Sequence, residues 1–343
     1  MFRQTLFTAG AGGHACYRIP TLIALPSGRL IVFCEARTNG ADDCGTIRIV
    51  ARISDDNGAT FSKTIDVADN GINTLGNPVP VYDNETKTLF LLVNGNLIDG
   101  DERAIMRGEA PRTVLCTSSI DDGLTWSPLR DLTPELMLSD WGWYAMGPCH
   151  AARLSGGRLL VPCNHSILDP TSPDHGKYIS HTVYSDDHGA SWHIGGSVGL
   201  NTNECSLTEL PDGRVYMNMR SYHGEQCRAT SFSGDGGLTW SPVHLEHALP
   251  DPVCQGSTLY APKLGRLLFS NVAHPTRRIR VTLRSSADLG QSWSEGVVLH
   301  EGPSAYSDIA ELADGRIACI FECGSETPYE QIVLAILDPR EVV

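Results

Sequence analysis

The sequence lacks any apolar run long enough to cross a membrane as a helix. Such a helix needs about 18 or more consecutive apolar residues, and the apolar stretches of this 343-residue chain are far shorter. Residues 1–13 carry one arginine and have no long apolar core, so we do not expect them to act as a secretory signal. The sequence therefore predicts no membrane span.

Basic charge is also scarce. Lys and Arg together number 26 against 40 Asp and Glu, which gives a formal net charge of −14. Nucleic acids and anionic membranes are repelled by such a balance, and we expect neither as a partner. An anionic substrate would need a local cluster of arginines, because the rest of the protein opposes its approach.

The 11 cysteines include no intact C-x-x-C pair, and the closest two are Cys319 and Cys323. An odd number of scattered cysteines indicates small buried side chains in a reducing compartment rather than a disulfide framework or a zinc site. We therefore expect a cytoplasmic protein, with the alternative that it is exported and its signal peptide has already been removed. We expect no metal and no cofactor, since no ligand cluster predicts one.

Helical periodicity is weak, with one short turn expected at residues 134–138, and an eight-residue motif recurs instead. The motif is Ser-x-Asp-x-Gly-x-(Ser/Thr)-(Trp/Phe), and its five copies are residues 54–61, 119–126, 185–192, 233–240 and 286–293. Its Asp can accept backbone hydrogen bonds within a turn, and its Gly supplies a positive φ. The aromatic residue anchors the turn against a neighbouring layer. A hairpin unit that recurs every 48 to 66 residues predicts a repeat architecture.

A second repeat, a turn followed by an apolar run, is interleaved with the first. The turn ends in Gly-Arg in five copies and is degenerate in a sixth; the copies are residues 25–33, 82–93, 154–162, 210–218, 261–269 and 312–321. Such patterns are typical of β-hairpins. Together the repeats predict an all-β protein, a six-bladed β-propeller of four-stranded antiparallel blades, with residues 1–343 as a single domain. Residues 4–8 would pair with residues 331–337 and close the ring.

Several charged or phenolic residues stand outside both repeats. Arg18, Arg220 and Arg278 occupy comparable parts of separate predicted blades. Three converging guanidinium groups would bind a carboxylate. Glu204 precedes Arg220, and Tyr306 follows Arg278. A tyrosine within reach of a carboxylate can act as a nucleophile, because the carboxylate takes the phenolic proton.

At these residues the chain resembles the exo-α-sialidases (neuraminidases) of the retaining, six-bladed type, and the resemblance covers essentially its whole length. The octapeptides resemble that family's Asp boxes, and Tyr-Arg-Ile-Pro at residues 17–20 resembles its first arginine motif. The resemblance implies hydrolysis of terminal sialic acid from sialylated glycans with retention. The implied site consists of the nucleophile Tyr306, its partner Glu204, the acid/base Asp43, the carboxylate-binding Arg18, Arg220 and Arg278, Arg37 beside the carboxylate and acyl region, and Glu322 as a support for Arg18.

Some alternatives stay open at this point. Asp42 is adjacent to Asp43 and Arg277 to Arg278, so either neighbour fits the same pattern. The site also suits another 2-ulosonic acid, or transfer of the glycosyl group to an acceptor other than water. A third possibility is a propeller that only binds sugars. An acid, a base and a tyrosine together favour an enzyme, because binding alone requires only the arginines. The sequence gives no indication of oligomeric state.

The segment between the second and third octapeptides contains aromatic residues and histidines with two interpretations. Trp141, Trp143 and Tyr144 fit either a pocket wall or packing between blades. His150 and His165 fit either a pocket wall or a structural role with satisfied hydrogen bonds.

Overall fold

The computed structural model describes residues 1–342, which form an all-β protein with a few short helical segments. The strands are β1 (Phe2–Thr8), β2 (Cys16–Ala24), β3 (Leu30–Arg37), β4 (Ile47–Ser54), β5 (Ile65–Ala68), β6 (Thr74–Asp83), β7 (Thr88–Asn96), β8 (Arg112–Ser119), β9 (Arg130–Asp131), β10 (Trp141–Met146), β11 (Ala152–Arg153), β12 (Leu159–Ile167), β13 (Tyr178–Ser185), β14 (His193–Leu200), β15 (Thr202–Glu209), β16 (Val215–Ser221), β17 (Cys227–Ser233), β18 (His244–Pro250), β19 (Gly256–Ala261), β20 (Arg266–Val272), β21 (Ile279–Ser286), β22 (Val297–Glu311), β23 (Ile317–Cys323) and β24 (Gln331–Leu337). The helices are α1 (Glu102–Met106), α2 (Thr133–Leu136) and α3 (Pro339–Val342), with a 3₁₀ turn at Ala11–Gly13. The all-β class predicted from the repeats is confirmed. Within residues 1–342, every helix is too short or too polar to span a bilayer.

Antiparallel pairing dominates the four sheets. Their strand orders are β1-β24-β23-β22-β21-β20-β19, β10-β12-β13-β14 with β11 on β12, β15-β16-β17-β18, and β2-β3-β4-β6-β7-β8-β9 with β5 on β4. The last of these is joined in its middle by a single parallel pair, Ile47 and Thr74. In the first, β22 pairs with β21 through its beginning and with β23 through its end. Each long sheet thus divides into shorter groups of about four strands.

The first strand lies beside the last one. β1 pairs antiparallel with β24, with Phe2 opposite Ile336 and Thr8 opposite Gln331. This confirms the pairing expected between residues 4–8 and 331–337. The hydrogen bonds cover the edge that β24 would otherwise expose.

The octapeptides form turns held by their own side chains. In the first copy, the Ser54 hydroxyl donates to Asp56 at 2.7 Å and accepts from Gly58 N at 2.8 Å. Thr60 donates to Asp56 through its backbone N–H at 2.8 Å and its hydroxyl at 2.6 Å. Chiefly because of the Thr60 bonds, the pKa of Asp56 falls to about 2. The same Ser–Asp bond recurs in the other four copies, so these aspartates stabilise turns.

The glycine and the aromatic residue of the octapeptide bring the turn against its neighbour. Gly58 has φ +81°, and a Cβ there would lie 2.6 Å from Ile336 Cδ1. Trp126 of the second copy packs edge-on against Phe33 of β3, with 5.7 Å between ring centroids. The repeat therefore specifies both the turn and the packing of one hairpin group on the next.

A buried histidine pair lies between β12 and β13. His165 stacks on Trp141 with 3.8 Å between ring centroids, and its Nδ1 is 3.1 Å from Nδ1 of His181. Burial lowers the pKa of His165 to about 3. Burial, together with His165, also lowers the pKa of His181 well below its ordinary value. Of the two interpretations of His165, the structural role is therefore the one that the structure favours.

We expect this pair to destabilise the protein in acid. Unfolded histidine has a pKa of about 6.5, so below that pH the unfolded chain takes up protons that the folded pair excludes. Each histidine then removes about 1.4 kcal/mol of unfolding free energy per pH unit as the pH falls toward the folded pKa. Urea denaturation between pH 6 and 4 should show a shallower pH dependence after the double change His165→Gln and His181→Gln. The exposed His193→Gln is the control, and an unaltered slope in the double variant would contradict the assignment.

Candidate active site

A cavity of about 370 Å³ lies where strands from all four sheets end. Seven of the eight site residues implied by the resemblance line it: Arg18, Arg37, Asp43, Glu204, Arg220, Arg278 and Tyr306. The eighth, Glu322, is fully buried behind Arg18. Asp42 also lines the cavity, whereas Arg277 is not among its lining residues.

Glu322 connects two of the cavity residues. One of its oxygens accepts from Arg18 Nε at 2.9 Å and from the Ile19 backbone N–H at 2.8 Å, and the other accepts from the Tyr306 backbone N–H at 3.1 Å. The Arg18 guanidinium lies over the Tyr329 ring, 4.0 Å from its centroid. Burial lowers the pKa of Arg18, but Glu322, Asp43 and Tyr329 together outweigh it and the net shift is upward. Arg18 is thus a fixed, permanently charged group.

Glu204 lies between an arginine and a phenol. Its Oε2 accepts from Arg220 Nη1 at 2.8 Å, and its Oε1 accepts from the Tyr306 hydroxyl at 2.5 Å. Burial and the nearby Glu204 raise the pKa of Tyr306 well above its ordinary value, and Arg220 and Arg278 only partly oppose this. The phenol is therefore neutral, and its proton already points at a carboxylate.

The adjacent arginines 277 and 278 point to different places. Arg278 lines the cavity and donates to the Tyr329 hydroxyl at 3.3 Å, with its guanidinium carbon 5.9 Å from the Tyr306 ring centroid. Arg277 is at the exposed surface, where its guanidinium is 3.3 Å from His274 Nε2. Of the two candidates, Arg278 is the one brought together with Arg18 and Arg220.

Asp43 is paired with two arginines. Its Oδ1 is 2.8 Å from Arg37 Nη2 and 3.7 Å from Arg18 Nη1, while 59% of its side chain is exposed. Burial raises the pKa of Asp43, but Arg37 and Arg18 together lower it by more than burial raises it, so the net shift is downward. The neighbouring Asp42 meets Arg37 only through its backbone oxygen, at 2.8 Å.

Glu35 is a cavity residue to which the sequence analysis gave no role. It accepts from Arg37 Nε at 2.8 Å and from the Asn77 backbone N–H at 2.7 Å. A Cβ at Gly76 would lie 2.6 Å from Glu35 Oε1, so a larger residue at position 76 would displace the carboxylate. Its signal was available, because residues two apart on a strand share a face, and Glu35 precedes Arg37 by two.

Arg112 was also missed. Its side chain is buried at the start of β8, where it donates to Tyr144 O at 2.8 Å, Asn96 Oδ1 at 2.6 Å and Asn77 Oδ1 at 3.0 Å. Its guanidinium carbon lies 3.9 Å from the Trp143 ring centroid. Within residues 1–342, no acidic side chain lies within salt-bridge distance of it. An isolated arginine in the sequence gives no sign of such a position.

The part of the cavity wall that contains Glu102 was also not predicted, because an isolated residue in the sequence gives no sign of such a position. Glu102 of α1 and Tyr222 line the cavity. The Tyr178 hydroxyl donates to Glu102, and the Tyr178 and Tyr222 rings stack with centroids 5.5 Å apart. Burial raises the pKa of Glu102 despite that hydrogen bond.

The aromatic and histidine candidates divide between the two interpretations. Trp143 lines the cavity, while Trp141 and Tyr144 pack in the core between sheets. His150 does not line the cavity; its Nδ1 is 2.7 Å from the fully buried Asp308.

Comparison with known proteins agrees with the geometry. A BNR repeat-like domain model matches residues 28–319. A sialidase from Micromonospora viridifaciens is 32% identical over 97% of this chain, which spans only 54% of that relative. Sialidase-2 from Mus musculus is 30% identical, with 99% of this chain and 96% of the relative covered.

A solved structure of similar shape is that of the Hadza microbial sialidase Hz136. Its TM-score to this chain is 0.88 at 26% identity, and the match covers 98% of this chain and 68% of the other. The repeats, the cavity and these matches together show that the chain belongs to the sialidase family of glycoside hydrolases.

Proposed function

We propose that the protein is an exo-α-sialidase that removes terminal sialic acid from glycoconjugates with retention of configuration. The observation that carries the proposal is the 2.5 Å hydrogen bond from the Tyr306 hydroxyl to Glu204, in a cavity that three arginines line. A protein that only bound sugars would need the arginines, but a neutral phenol paired with a base serves covalent chemistry.

The arginines Arg18, Arg220 and Arg278 would bind the substrate carboxylate. Charge-assisted hydrogen bonds to guanidinium groups are worth about 1.5–3 kcal/mol each. Such a cluster resolves the conflict between an anionic substrate and a net charge of −14. Glu322 supports the arrangement by fixing the direction of Arg18.

In the first step, Tyr306 Oη would attack the anomeric carbon while its proton passes to Glu204. A neutral nucleophile suits this substrate because the carboxylate is attached to the anomeric carbon itself. Two like charges about 4 Å apart repel by roughly 4 kcal/mol at an effective dielectric of about 20. A carboxylate nucleophile would face that repulsion, and a phenol avoids it.

Asp43 would protonate the departing oxygen. In the free protein its pKa is lowered by Arg37 and Arg18, so it is ionised before substrate arrives. A substrate carboxylate beside Arg18 adds negative charge and weakens that effect, which raises the Asp43 pKa and favours proton uptake. Asp43 has the side-chain contacts that couple it to binding, and Asp42 has only a backbone contact with Arg37.

In the second step, Asp43 would take a proton from water as the water attacks the anomeric carbon. The bond to Tyr306 Oη breaks, and Glu204 returns the proton to the phenolate. Two inversions at one carbon give net retention. If another hydroxyl replaces water, the same steps give transfer.

The six-bladed propeller, with residues 1–343 as one domain, is also our proposal for how the sheets are arranged. Division of both long sheets into groups of four strands, together with the two shorter sheets, supports it. Closure by β1 on β24 supports it further. A cytoplasmic location remains a proposal that rests on the cysteines alone, of which all but Cys44 are buried.

Incubation with a fluorogenic α-sialoside tests the proposed function. We expect release of the fluorophore, and proton NMR should identify the α anomer as the first free sugar. Appearance of the β anomer first would exclude retention. If fluorophore is released without free sugar when an acceptor sugar is present, the protein is a transferase. Absence of release from sialosides and related ulosonides would favour a binding protein.

A further inference from the structure

The cavity wall formed by β6, β8 and β10 carries different side chains from the part that Arg18, Arg220 and Arg278 line. In a 2-ulosonic acid pyranose, C2 carries the carboxylate and C5 lies at the opposite corner of the six-membered ring. A substrate held by Arg18, Arg220 and Arg278 therefore directs its C5 substituent away from them. The strands β6, β8 and β10 contribute none of these arginines to the cavity. Asn77 of β6 donates to Glu35, and Glu35 accepts from Arg37, so this wall begins on the far side of the Arg37–Glu35 pair from Asp43.

Arg112 dominates this wall. It is 3% exposed, and the charges close enough to act on it are Glu35, Glu102 and Asp43, none of which forms an ion pair with it. Arginine carries five N–H donors, and three are used in the bonds to Tyr144 O and the two asparagines. Two N–H groups remain on a guanidinium that lines the cavity. They require an acceptor, since a buried donor without a partner is destabilising.

The rest of the wall offers little to an apolar group. The Trp143 ring has Arg112 over one face, 3.9 Å from its centroid. Thr74 turns its hydroxyl to Gly45 O at 2.9 Å. Among the described residues that β6, β8 and β10 contribute to the cavity, Ala145 is the one aliphatic side chain, and it is 2% exposed.

The usual C5 substituent of a sialic acid is an acetamido group, whereas a deaminated analogue carries a hydroxyl. The acetamido carbonyl could accept from Arg112, but the group is larger than a hydroxyl and also carries an N–H and a methyl, and the methyl would lie against the polar atoms of this wall. A hydroxyl accepts from a guanidinium and is small enough to leave the wall unmoved. Polar contacts of this kind discriminate strongly, because a mismatched substrate leaves buried polar groups unpaired.

We propose that Arg112 sets the substrate class of this site, and that the protein prefers 2-ulosonic acids with a hydroxyl at C5 over those with an acetamido group. This inference rests on the proposed function, because it places the substrate carboxylate on the three arginines. Arg112 would bind the C5 oxygen directly, with Asn77 and Trp143 holding the guanidinium in place.

Paired aryl α-ketosides that differ only at C5 test the proposal. We expect kcat/KM to be at least tenfold higher for the 5-hydroxy compound. Arg112→Met should lower kcat/KM for that compound at least tenfold and bring the ratio of the two substrates close to one. Equal or better hydrolysis of the 5-acetamido compound by the unaltered protein would overturn the proposal, and so would an unchanged ratio in a folded Arg112→Met variant.

Arg228→Met is the matched control, since Arg228 is also buried, lies 5.4 Å from the Phe269 ring centroid and is outside the cavity. It should keep the preference of the unaltered protein. If neither ketoside is cleaved, the hydrolase function fails, but the C5 preference is still decided by calorimetric affinities of the two corresponding 2,3-dehydro acids for the unaltered protein. Tighter binding of the 5-hydroxy acid supports the proposal, and equal or weaker binding overturns it. The same binding ratio serves if Arg112→Met does not fold.

Discussion

Tyr306→Phe is expected to lower kcat by about a thousandfold or more while leaving the protein folded. Losing the nucleophile of a covalent mechanism costs several orders of magnitude. The ring is retained, so its contacts with the Arg18 and Arg278 guanidinium groups, at 5.4 and 5.9 Å from the ring centroid, remain. The carboxylate-binding arginines keep their charge, and we expect KM to change much less than kcat.

The size of the loss follows from where the phenolic proton lies. Burial and Glu204 raise the pKa of Tyr306 well above the ordinary value for tyrosine, so free phenolate is negligible at neutral pH. Attack therefore requires transfer to Glu204, 2.5 Å away. Phenylalanine has no proton to transfer and no oxygen to form the bond. Any residual turnover would come from direct attack by water, which would give the inverted sugar first.

Tyr216→Phe provides the control. Tyr216 is buried, and its hydroxyl accepts from Asn218 Nδ2 at 3.2 Å outside the cavity. Its loss should affect stability without a comparable fall in kcat. Initial rates on an aryl α-sialoside, with unfolding followed by circular dichroism, distinguish the two variants. A kcat within tenfold of the unaltered protein for Tyr306→Phe would rule out the nucleophile role.

The repeated parts of the fold were predictable because each copy carries its own local determinants. Asp56 and Thr60 lie four residues apart and satisfy each other, whatever the rest of the chain does. The pairing of β1 with β24 was predictable for a different reason: the octapeptides number five and the second repeat six, so the last blade lacks an outer hairpin of its own. The first depends on side chains within one octapeptide and the second on backbone pairing between the two ends of the chain, and the repeat pattern indicates both.

The residues that line the cavity were predictable only where their side-chain chemistry or the resemblance to the sialidase family pointed to them. Tyr306 and Glu204 are 102 positions apart, and their meeting depends on the curvature of whole sheets. Arg112 had no local signal, because its position depends on Trp143 and Asn77 from other strands. Glu35 differs, since its two-residue spacing from Arg37 on one strand was visible in the sequence. Residues that act through long-range packing are the ones that sequence patterns leave unmarked.

Asp43 is a case in which the structure qualifies the sequence-based hypothesis. An acid that protonates the departing oxygen must carry a proton when the first step begins, but Arg37 and Arg18 lower the pKa of Asp43 in the free protein. Its protonation must then follow substrate binding. This links the first chemical step to occupation of the arginines, so that weakening the arginine cluster should impair catalysis as well as affinity.

Arg278→Met should accordingly reduce kcat/KM on an aryl α-sialoside by about a hundredfold or more. The change removes one of the three guanidinium groups available to the carboxylate. A guanidinium can donate two hydrogen bonds to a carboxylate, and each charge-assisted bond contributes about 1.5–3 kcal/mol. The loss of both bonds therefore lowers kcat/KM by roughly 10²- to 10⁴-fold. Methionine retains much of the apolar stem, which limits the loss of packing. Arg278 also donates to Tyr329, 3.3 Å away, and Tyr329 in turn contacts Arg18, so some of the loss should appear in kcat.

Arg277→Met is the matched control, because it removes the same charge from the adjacent residue. Arg277 contacts His274 at the exposed surface and is outside the cavity, so its change alters the net charge of the protein equally without removing a ligand for the carboxylate. We expect less than a threefold change in kcat/KM for this variant. If the two variants lose activity equally, the effect of Arg278 is long-range electrostatic attraction. A larger loss in Arg277→Met would transfer the role to Arg277. A loss confined to Arg278→Met that persists at high salt would identify a direct contact, since screening weakens long-range attraction much more than a buried hydrogen bond.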